Sequence, residues 1–461
     1  MAQRKTKLWA GRFSESTSKI LEEFTESISF DKRLAIYDIK ASIAHTLMLK
    51  KVKIITNLET EKIINGLSKI LSLVKSGKFR FDKYYEDVHL NIENYLIKLI
   101  GNVGKKLHTA RSRNDQIIVD MMLYLKDEIK EIIELINKLQ STIVSIAEKS
   151  LNIIIPGYTH LKQAQPVLLS SYLMAYFYKF QRDKEKFKNN LKSVDTLPLG
   201  VGAVAGVNYP IDRNYVAKLL GFSRISENSI DTVSQRDYII EFIFCCAITA
   251  MHLSRLAEDL IIWNTDEFGF IEINDTFATG SSIMPNKKNP DVLELIRGKT
   301  AKIYGNLMSI LTLLKALPLS YNRDLQEDKK MLFETADYIK PMLNIMSAIL
   351  DNITFKESKI KEKMKDGFIL AVDIADYLVK RGLPFRKAHN IVGKIVKYCI
   401  DNNKLLFELS LKEFRKFSKA FGNDILQILD YKKSIESKIS DGGTSIKQVK
   451  KQILNAKKVL Q

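Results

Sequence analysis

The sequence predicts an all-α fold in which a central bundle of five long helices is flanked by two small helical domains. Apolar residues recur in steps of three and four over long stretches, which is the periodicity of an amphipathic helix. Glycine and proline collect between those stretches, and strand-like patterns are few. We expect an N-terminal domain at residues 1–111, the bundle at 112–364 and a C-terminal domain at 365–461.

The longest predicted helix follows Asn114. Its apolar seam comprises Ile118, Met122, Leu125, Ile129, Ile132, Ile136, Leu139, Ile143 and Ile146. No glycine or proline occurs from 115 to 155. A helix of about forty residues is about 60 Å long at about 1.5 Å per residue, so other long helices must bury it along its length.

Four further segments carry the same helical periodicity. We expect them at about residues 166–194, 230–265, 290–317 and 328–353, with Pro166 in the first helical position of its segment. Five long helices with short links make a bundle core.

The two flanks carry shorter helical patterns. Thr56 and Glu59 have the spacing of a capping box, and Gly77 is placed to end the helix that they start. Towards the C-terminus, breaks are expected at Gly367, Gly382 and Pro384, and at residues 442–443.

Composition excludes several classes of protein. The 461 residues are 46% hydrophobic and 27% charged, as in a soluble globular protein, and no apolar run reaches the roughly eighteen residues of a membrane span. The net charge of +19 comes from dispersed lysines rather than a basic arm or a nucleic-acid-binding motif. Three cysteines, two of them adjacent in an apolar helix, favour a reducing, cytoplasmic location. No metal-binding or nucleotide-binding motif occurs, so neither a cofactor nor a metal is expected.

One segment, GSSIMPNKKNP at residues 280–290, combines two hydroxyls and two ammonium groups with a glycine and two prolines. Gly280 permits unusual backbone angles, and Asn289-Pro290 is typical of an N-cap and first helical turn. Serine oxygens beside lysines and free backbone N–H groups suit an anionic substrate. The alternative is a solvated surface loop.

Three more polar segments interrupt the helical patterns. HTARSRND, residues 108–115, places two arginines at a helix start, which suits either carboxylate binding or a salt bridge between domains. PGYTHLKQAQP, residues 156–166, holds His160 in a linker between long helices, where the imidazole is either an acid–base catalyst or structural. YNRDLQEDKK, residues 321–330, is either a ligand clamp or an exposed helix start.

In this order on a helical chain, these segments resemble the fumarate-releasing lyase superfamily, whose shared motif is GSSxMPxKxNP. That superfamily includes argininosuccinate lyase, class II fumarase, aspartase and adenylosuccinate lyase. Further segments resemble the argininosuccinate lyases in particular: LWAGRF, SISFD, KLHTARSRND, PGYTHLKQAQP, YNRDLQEDK and GLPFRKAH. The likeness covers essentially the full chain, and it extends to the lens δ-crystallins.

The resemblance implies a homotetramer with each active site assembled from three subunits, and a small-molecule substrate, argininosuccinate, cleaved reversibly to arginine and fumarate in arginine biosynthesis. Ser281 corresponds to the residue that exchanges the proton on the succinyl carbon, and His160, oriented by Glu294, to its acid–base partner. Lys287 corresponds to the cation that binds the carboxylate on which charge accumulates. The positions that resemble substrate contacts are Ser27, Arg113, Asn114, Thr159, Asn289, Tyr321, Gln326 and Lys329.

The chain departs from the family at three positions. Ala10 stands where glycine is usual, and Lys162 and Asn286 stand where glutamine is common. None of these changes removes a catalytic group, although Asn286 bears on the mobility of the loop.

Two questions stay open at this point. Which of Ser281 and His160 is the base and which the acid is not decided by the residues alone. The alternatives for function are a non-catalytic structural paralogue like the δ-crystallins and a related lyase acting on adenylosuccinate.

Overall fold

The structure is a computed structural model, and it describes Arg12, Glu15, residues 17–365 and residues 368–460. Helices account for most of these residues, so the predicted all-α class is confirmed. The helices are α1 Lys19–Thr25, α2 Ile28–Asp31, α3 Ala35–Lys51, α4 Asn57–Lys75, α5 Val88–Ile100, α6 Arg113–Lys149, α7 Leu169–Ser193, α8 Arg213–Leu220, α9 Ser229–Ser234, α10 Asp237–Asn264, α11 Asp291–Leu314, α12 Asp328–Asp351, α13 Glu357–Lys365, α14 Ala371–Lys380, α15 Phe385–Asp401, α16 Leu411–Phe417, α17 Ile425–Ile428, α18 Tyr431–Ser437 and α19 Ile446–Leu460.

Short strands pair two by two in the described part of the chain. The strands are β1 Ile154–Thr159, β2 Lys162–Leu168, β3 Thr196–Leu197, β4 Arg224–Ile225, β5 Ile271–Ile273, β6 Thr279–Gly280, β7 Lys288–Asn289 and β8 Ile353–Phe355. The pairs β1–β2, β5–β8 and β6–β7 are antiparallel, and β3–β4 is parallel. The expectation of few strands therefore agrees with the structure, and the pairs serve mainly to shape links between helices.

The chain forms two compact units. Unit 1 comprises the described residues up to Ile133 together with Glu185–Ala247 and Lys302–Tyr338. Unit 2 comprises Glu134–Lys184, Ile248–Ala301 and the described residues from Ile339 onwards. The boundary falls within each of α6, α7, α10, α11 and α12, so each unit contains a part of every long helix. The division at residues 111/112 and 364/365 stays a prediction.

The apolar seam of α6 is buried as its periodicity predicts. From Ile118 to Ile143 every seam residue is at most 2% exposed, whereas Ile146, near the end of the helix, is half-buried.

The sequence pattern in the N-terminal flank also predicted the start of a helix correctly. Thr56 Oγ1 accepts the Glu59 N–H at 3.3 Å and the Glu59 carboxylate accepts the Thr56 N–H at 2.9 Å, which completes the predicted capping box of α4.

Three details of the predicted long helices differ from the structure. Pro166 lies in β2 opposite Pro156, and α7 begins only at Leu169. The segment 230–265 is two helices, because the chain is extended at Gln235 between α9 and α10. Pro290 supplies the carbonyl that accepts the first N–H groups of α11, from Leu293 at 2.9 Å and Glu294 at 3.2 Å, so Asn289 is not the N-cap.

A buried ion pair joins two elements of unit 1. Arg236 Nε lies 2.5 Å from Asp328 Oδ2, and both side chains are fully buried. The second oxygen of Asp328 accepts a hydrogen bond from Lys329 Nζ at 2.9 Å. The pair therefore fixes the first turn of α12, where Lys329 lies.

Arg236→Met is expected to destabilise the protein by about 3–5 kcal/mol, because it leaves the Asp328 carboxylate without its guanidinium partner in a dry interior. The urea midpoint of unfolding checks this expectation. Glu362→Gln, which removes one side of the exposed Lys359–Glu362 pair, is the control and should leave the midpoint unchanged. Equal midpoints for the Arg236 variant and the wild type would contradict the expectation.

The helix α10 is long and apolar enough to cross a membrane by length and composition, but 61% of its most apolar window is buried within the protein. Buried core helices pass the same test, so this finding is weak evidence for a membrane span. The thiols of Cys245, Cys246 and Cys399 are buried, and none of the three forms a disulfide with a described residue.

Candidate active site

A cavity of about 630 Å³ in unit 1 brings together six of the residues singled out from the sequence. They come from the start of α2, the start of α6 and the segment that leads into α12. The six are Ser27, Arg113, Asn114, Tyr321, Gln326 and Lys329. Residues that are more than 290 positions apart in sequence therefore line one cavity.

The start of α6 is held in place by Asp115. One of its oxygens accepts the Ser112 N–H at 2.9 Å, and the other accepts the N–H groups of Gly200 and Gly202, each at 2.9 Å. Gly202 has φ +66°, and a Cβ there would lie 2.8 Å from the Gly206 carbonyl oxygen. Burial raises the pKa of Asp115 to about 6, and the backbone donors oppose that rise. The glycine-rich segment after β3 thus fixes the helix end that carries Arg113 and Asn114.

Arg113, the first residue of α6, is engaged by acidic and polar neighbours. Its Nε lies 3.2 Å from Asp87 Oδ2, and its Nη1 donates to Gln116 Oε1 at 2.8 Å. Its Nη2 lies 3.9 Å from Glu93, whose pKa is raised mainly by burial. Both readings of Arg113 from the sequence, ion pairing and ligand binding, are compatible with this geometry.

Three other cavity residues are held by hydrogen bonds. Ser27 is 5% exposed, and its hydroxyl donates to Asp31 Oδ2 at 2.6 Å. The Gln326 amide donates to the Thr25 carbonyl at 3.2 Å. Lys329 is 3% exposed, and its contact with Asp328 presents an ammonium group at the cavity wall.

A buried cluster of Asp38, His89 and Asp120 lies beside this cavity, which His89 lines. His89 Nδ1 lies 3.0 Å from Asp38 and 3.4 Å from Asp120. The pKa of Asp38 is lowered to about 2, because His89 and Arg111 outweigh the effect of burial. Burial and the neighbouring Asp38 raise the pKa of Asp120 well above its usual value.

The spacing of this cluster allows a metal ion, since its ligand atoms lie within 4.8 Å of one another. The Gln116 amide, however, donates to the same Asp38 oxygen that faces His89, and the buried Arg111 already supplies positive charge. A hydrogen-bonded charge network explains these contacts without a cation.

The predicted acid–base histidine lies in unit 2, at the tip of the β1–β2 hairpin. Thr159 pairs with Lys162, so His160 and Leu161 form a two-residue turn. Their φ values are +53° and +56°, a region that favours glycine or asparagine and is costly for leucine. His160 is exposed, and the link between α6 and α7 in which it was predicted to lie is this hairpin. Backbone strain of this kind is concentrated at functional sites.

The GSSIMPNKKNP segment also lies in unit 2, between β6 and the start of α11. Gly280 pairs with Lys288 and Thr279 with Asn289 at the base of the loop. Gly280 itself has no positive φ, and an added Cβ would meet only the Lys287 carbonyl at 3.9 Å, so its expected conformational role is wrong. The loop between these strands is half-buried at Ser281 and exposed from Ser282 to Lys287.

Ser281 Oγ accepts N–H groups from its own loop. The donors are Ile283 at 3.4 Å and Met284 at 3.1 Å. Backbone donors aimed at a hydroxyl oxygen stabilise negative charge on that oxygen. The loop is thus suited to hold a partly ionised serine.

The two adjacent lysines of this loop differ in their surroundings. Lys288 Nζ lies 2.9 Å from Glu272 and 2.6 Å from Asp275, and the hydrogen bonds that it donates to Asp275 and then to Glu272 raise its pKa. Lys287 is exposed and, among the residues the structure describes, forms no ion pair or side-chain hydrogen bond. Lys287 is therefore the one with a free ammonium group for a ligand.

The predicted residues thus fall into two sets. Six line the unit 1 cavity, and six lie in unit 2: Thr159, His160, Ser281, Lys287, Asn289 and Glu294. In the described part of the chain, no hydrogen bond joins His160 to Ser281 or Glu294, and Glu294 is an exposed residue in the first turn of α11. The Lys162 and Asn286 departures lie at the hairpin and in the loop, whereas Ala10 lies outside the described residues.

Several cavity residues were not singled out from the sequence. They are Asp31, Glu86, Asp87, His89, Glu93, Lys105, His108 and Arg323. Burial and the nearby Arg111 and Arg113 guanidinium groups lower the pKa of His108 to about 4. Asp31 lies within the SISFD motif. The buried polar residues Asp38, Ser42 and His45 on α3 were a further signal, which could have located the cluster of Asp38, His89 and Asp120 beside the cavity.

Two models of known protein families match this chain. The family model described as Lyase matches residues 11–305, and the model described as Argininosuccinate lyase C-terminal matches residues 368–436. An argininosuccinate lyase of Alkaliphilus metalliredigens is 53% identical over 439 residues, which cover 95% of this chain and 95% of that protein. An argininosuccinate lyase of Aquifex aeolicus is 51% identical over 443 residues, covering 96% and 97%.

Solved structures give the same architecture. The crystal structure of EDDS lyase in complex with formate is 28% identical, with a TM-score of 0.81 over 93% of this chain and 87% of that chain. Recombinant class II fumarase from Schistosoma mansoni, at 17% identity and a TM-score of 0.73, covers 88% of this chain and 92% of its own and shares the fold. Matching family models at both ends and about 50% identity over nearly the full length confirm the resemblance found in the motifs, and the chain belongs to the argininosuccinate lyase family.

Proposed function

We propose that the chain cleaves argininosuccinate reversibly to arginine and fumarate, the last step of arginine biosynthesis. The observation that carries the proposal is the unit 1 cavity, which is lined by six of the residues that resemble substrate contacts of the family. The proposal includes a cytoplasmic location, in keeping with three buried cysteines that form no disulfide with a described residue.

The charges of the cavity suit a substrate that carries both signs. Argininosuccinate has three carboxylates, an ammonium group and a guanidinium group. The acidic residues of the wall are Asp31, Glu86, Asp87 and Glu93, and the basic ones are Lys105, Arg113, Arg323 and Lys329. Such a wall can pair with each end of the substrate, and guanidinium and ammonium groups bind carboxylates by charge-assisted hydrogen bonds.

The proposed reaction is a β-elimination. Ser281 takes the proton from the succinyl carbon, and the electron pair left on that carbon is delocalised into the adjacent carboxylate. Expulsion of the guanidino nitrogen then forms the carbon–carbon double bond of fumarate, and His160 protonates the departing nitrogen to give arginine. The residues return to their starting states once the two protons exchange, so no co-reactant is consumed. The opposite assignment of acid and base uses the same residues.

Lys287 and the loop N–H groups stabilise the charge that develops on the carboxylate. A well-placed donor of this kind contributes about 3–4 kcal/mol to the stability of a transition state. Glu294 is proposed to orient His160, and Thr159 and Asn289 to contact the substrate. Thr159 and Asn289 lie on short strand pairs and Lys287 on an exposed loop. Closure of such a loop excludes water and strengthens each charge interaction.

A homotetramer is proposed, with each site drawing residues from three subunits. Tyr304, Met308 and Leu311 lie on one face of α11, at helical spacing, and are 43%, 62% and 42% exposed. An apolar stripe on a long helix is typical of a surface covered by another copy of the same helix.

The function is tested by the release of fumarate from argininosuccinate by the purified protein, followed as ultraviolet absorbance. Fumarate release with argininosuccinate and none with adenylosuccinate supports the proposal. Release only from adenylosuccinate would make the chain a related lyase. No release from either substrate by correctly folded protein would favour the structural paralogue and overturn the proposal.

His160→Asn is expected to reduce turnover by about a hundredfold, in the range typical for loss of an acid–base group. Asparagine tolerates the positive φ of this turn, so the hairpin is expected to keep its shape. Leu161→Asn, in the other position of the same turn, is the matched control and should keep near-normal turnover. Similar rates for the two variants would contradict the role of the imidazole.

A further inference from the structure

One carboxylate oxygen at the cavity wall has no hydrogen-bond partner in the part of the chain that the structure describes. Asp31 is 1% exposed and lines the 630 Å³ cavity of unit 1. Its Oδ2 accepts the Ser27 hydroxyl at 2.6 Å, whereas its Oδ1 is buried and has no hydrogen-bond partner among the described residues. A buried acceptor left unpaired costs free energy until a donor reaches it, so a ligand donor is the expected partner.

The surroundings of Asp31 indicate the charge of that donor. Burial and then the nearby Asp87 raise the pKa of Asp31 to about 6, while the Ser27 hydroxyl, His89 and Lys329 lower it less strongly. Asp31 is thus ionised at neutral pH in a place where its charge is poorly solvated. The groups that face it from its own segment and from packed elements are Ser27, Asp87, His89, Asp120 and Lys329.

We propose that Asp31 is a specificity-determining residue whose free Oδ1 accepts a hydrogen bond from a cationic nitrogen of the arginine half of the substrate. This inference rests on the proposed function. The nearby Asp87 carboxylate already repels negative charge at Asp31, so a ligand cation is favoured over a ligand carboxylate there. The fumarate half has no N–H group and gains nothing from Asp31.

A buried, poorly solvated carboxylate that is used to bind a ligand lowers the stability of the folded protein without that ligand. Since the folded pKa of Asp31, about 6, lies above its ordinary value of 3.8, its ionisation opposes folding as the pH rises from about 4 through 6. Asp31→Asn removes that charge and retains an oxygen for the Ser27 hydroxyl. The variant is therefore expected to unfold at a higher denaturant concentration than the wild type at neutral pH.

The test is the binding of the two products, arginine and fumarate, to wild-type protein and to Asp31→Asn, measured by calorimetry. Asp31→Asn is expected to weaken arginine by roughly tenfold to a hundredfold, the effect of losing a hydrogen bond between charged groups. Fumarate affinity is expected to stay within about twofold. Citrulline keeps the ammonium group of arginine but has a neutral ureido group in place of the guanidinium. If Asp31→Asn weakens citrulline binding as much as arginine binding, the ammonium group is the donor. If it weakens only arginine binding, the guanidinium group is the donor.

The pH dependence gives a second readout. Wild-type affinity for arginine should fall as the pH is lowered through about 6, because a protonated Asp31 no longer attracts a cation. The Asp31→Asn variant should not show this fall in arginine affinity. Asp183→Asn is the matched control, since Asp183 is also fully buried and contacts His252 Nδ1 at 2.6 Å in unit 2.

The control should change stability without changing arginine binding. Unchanged arginine affinity in Asp31→Asn, or an equal loss for fumarate, would overturn the inference. Because the calorimetry needs no turnover, such a result with an enzyme that still releases fumarate would leave the proposed function intact.

Discussion

Ser281→Ala should lower kcat by about a thousandfold, within the range that acid–base groups contribute. The expected loss is large because the structure surrounds this oxygen with backbone donors: the N–H groups of Ile283 and Met284 both point at Ser281 Oγ. Serine is a feeble base in water, and donors aimed at its oxygen stabilise the ionised form that removal of a carbon-bound proton requires.

The neighbouring serine provides the control for this prediction. Ser282 is exposed and differs from Ser281 by one position in the same loop. Ser282→Ala should keep kcat within about threefold of the wild type, because it removes a hydroxyl without touching the proposed base. Steady-state rates of fumarate release measure both variants. If the two serine variants were equally active, the proton-transfer role would have to be reassigned.

Lys287→Met is expected to lower kcat by about a hundredfold to a thousandfold, as when a donor to a developing anion is lost. The loss should appear mainly in kcat, since the carboxylate gains most of its extra charge in the transition state. Lys287 is exposed and has no side-chain partner among the residues that the structure describes, so its ammonium group is free to bind the substrate.

Lys288→Met is the matched control because its ammonium group is already held by Glu272 and Asp275. Its loss should loosen the base of the loop and shift the unfolding midpoint slightly, with a much smaller effect on kcat. Comparison of kcat and KM for the two variants separates the roles. A larger drop in kcat for Lys288→Met than for Lys287→Met would contradict the assignment.

Local signals in the sequence predicted the helices well. The seam of α6 and the capping box of α4 depend on contacts within a few residues, so periodicity and spacing were sufficient. The β1–β2 hairpin was missed because its formation depends on pairing between Ile154–Thr159 and Lys162–Leu168. Pro166, which is typical of a helix start, lies instead opposite Pro156, where neither residue has an N–H to offer the ladder.

The candidate site was only partly accessible from the sequence. Motifs identified twelve residues, whereas Asp31, His89 and Asp120 were not singled out, because polar residues within helices are usually solvated. A signal was present in α3, where Asp38, Ser42 and His45 recur at helical spacing and are all at most 1% exposed. Whether these polar residues are buried depends on how α3 packs against other parts of the protein. The pattern can therefore be interpreted only once the neighbouring apolar face of α3 has been assigned to the core.

Mixed oligomers test most directly the central claim, that one site draws residues from separate copies of the chain. Lys329→Met and Ser281→Ala should each be nearly inactive alone, since one alters the unit 1 cavity and the other the unit 2 loop. Co-refolded in equal amounts, they should recover about a quarter of wild-type fumarate release, because each site has an even chance of receiving each intact residue. Hybrids that assemble fully and yet remain as inactive as the parent variants would show that every site is built from one chain, and would contradict the account.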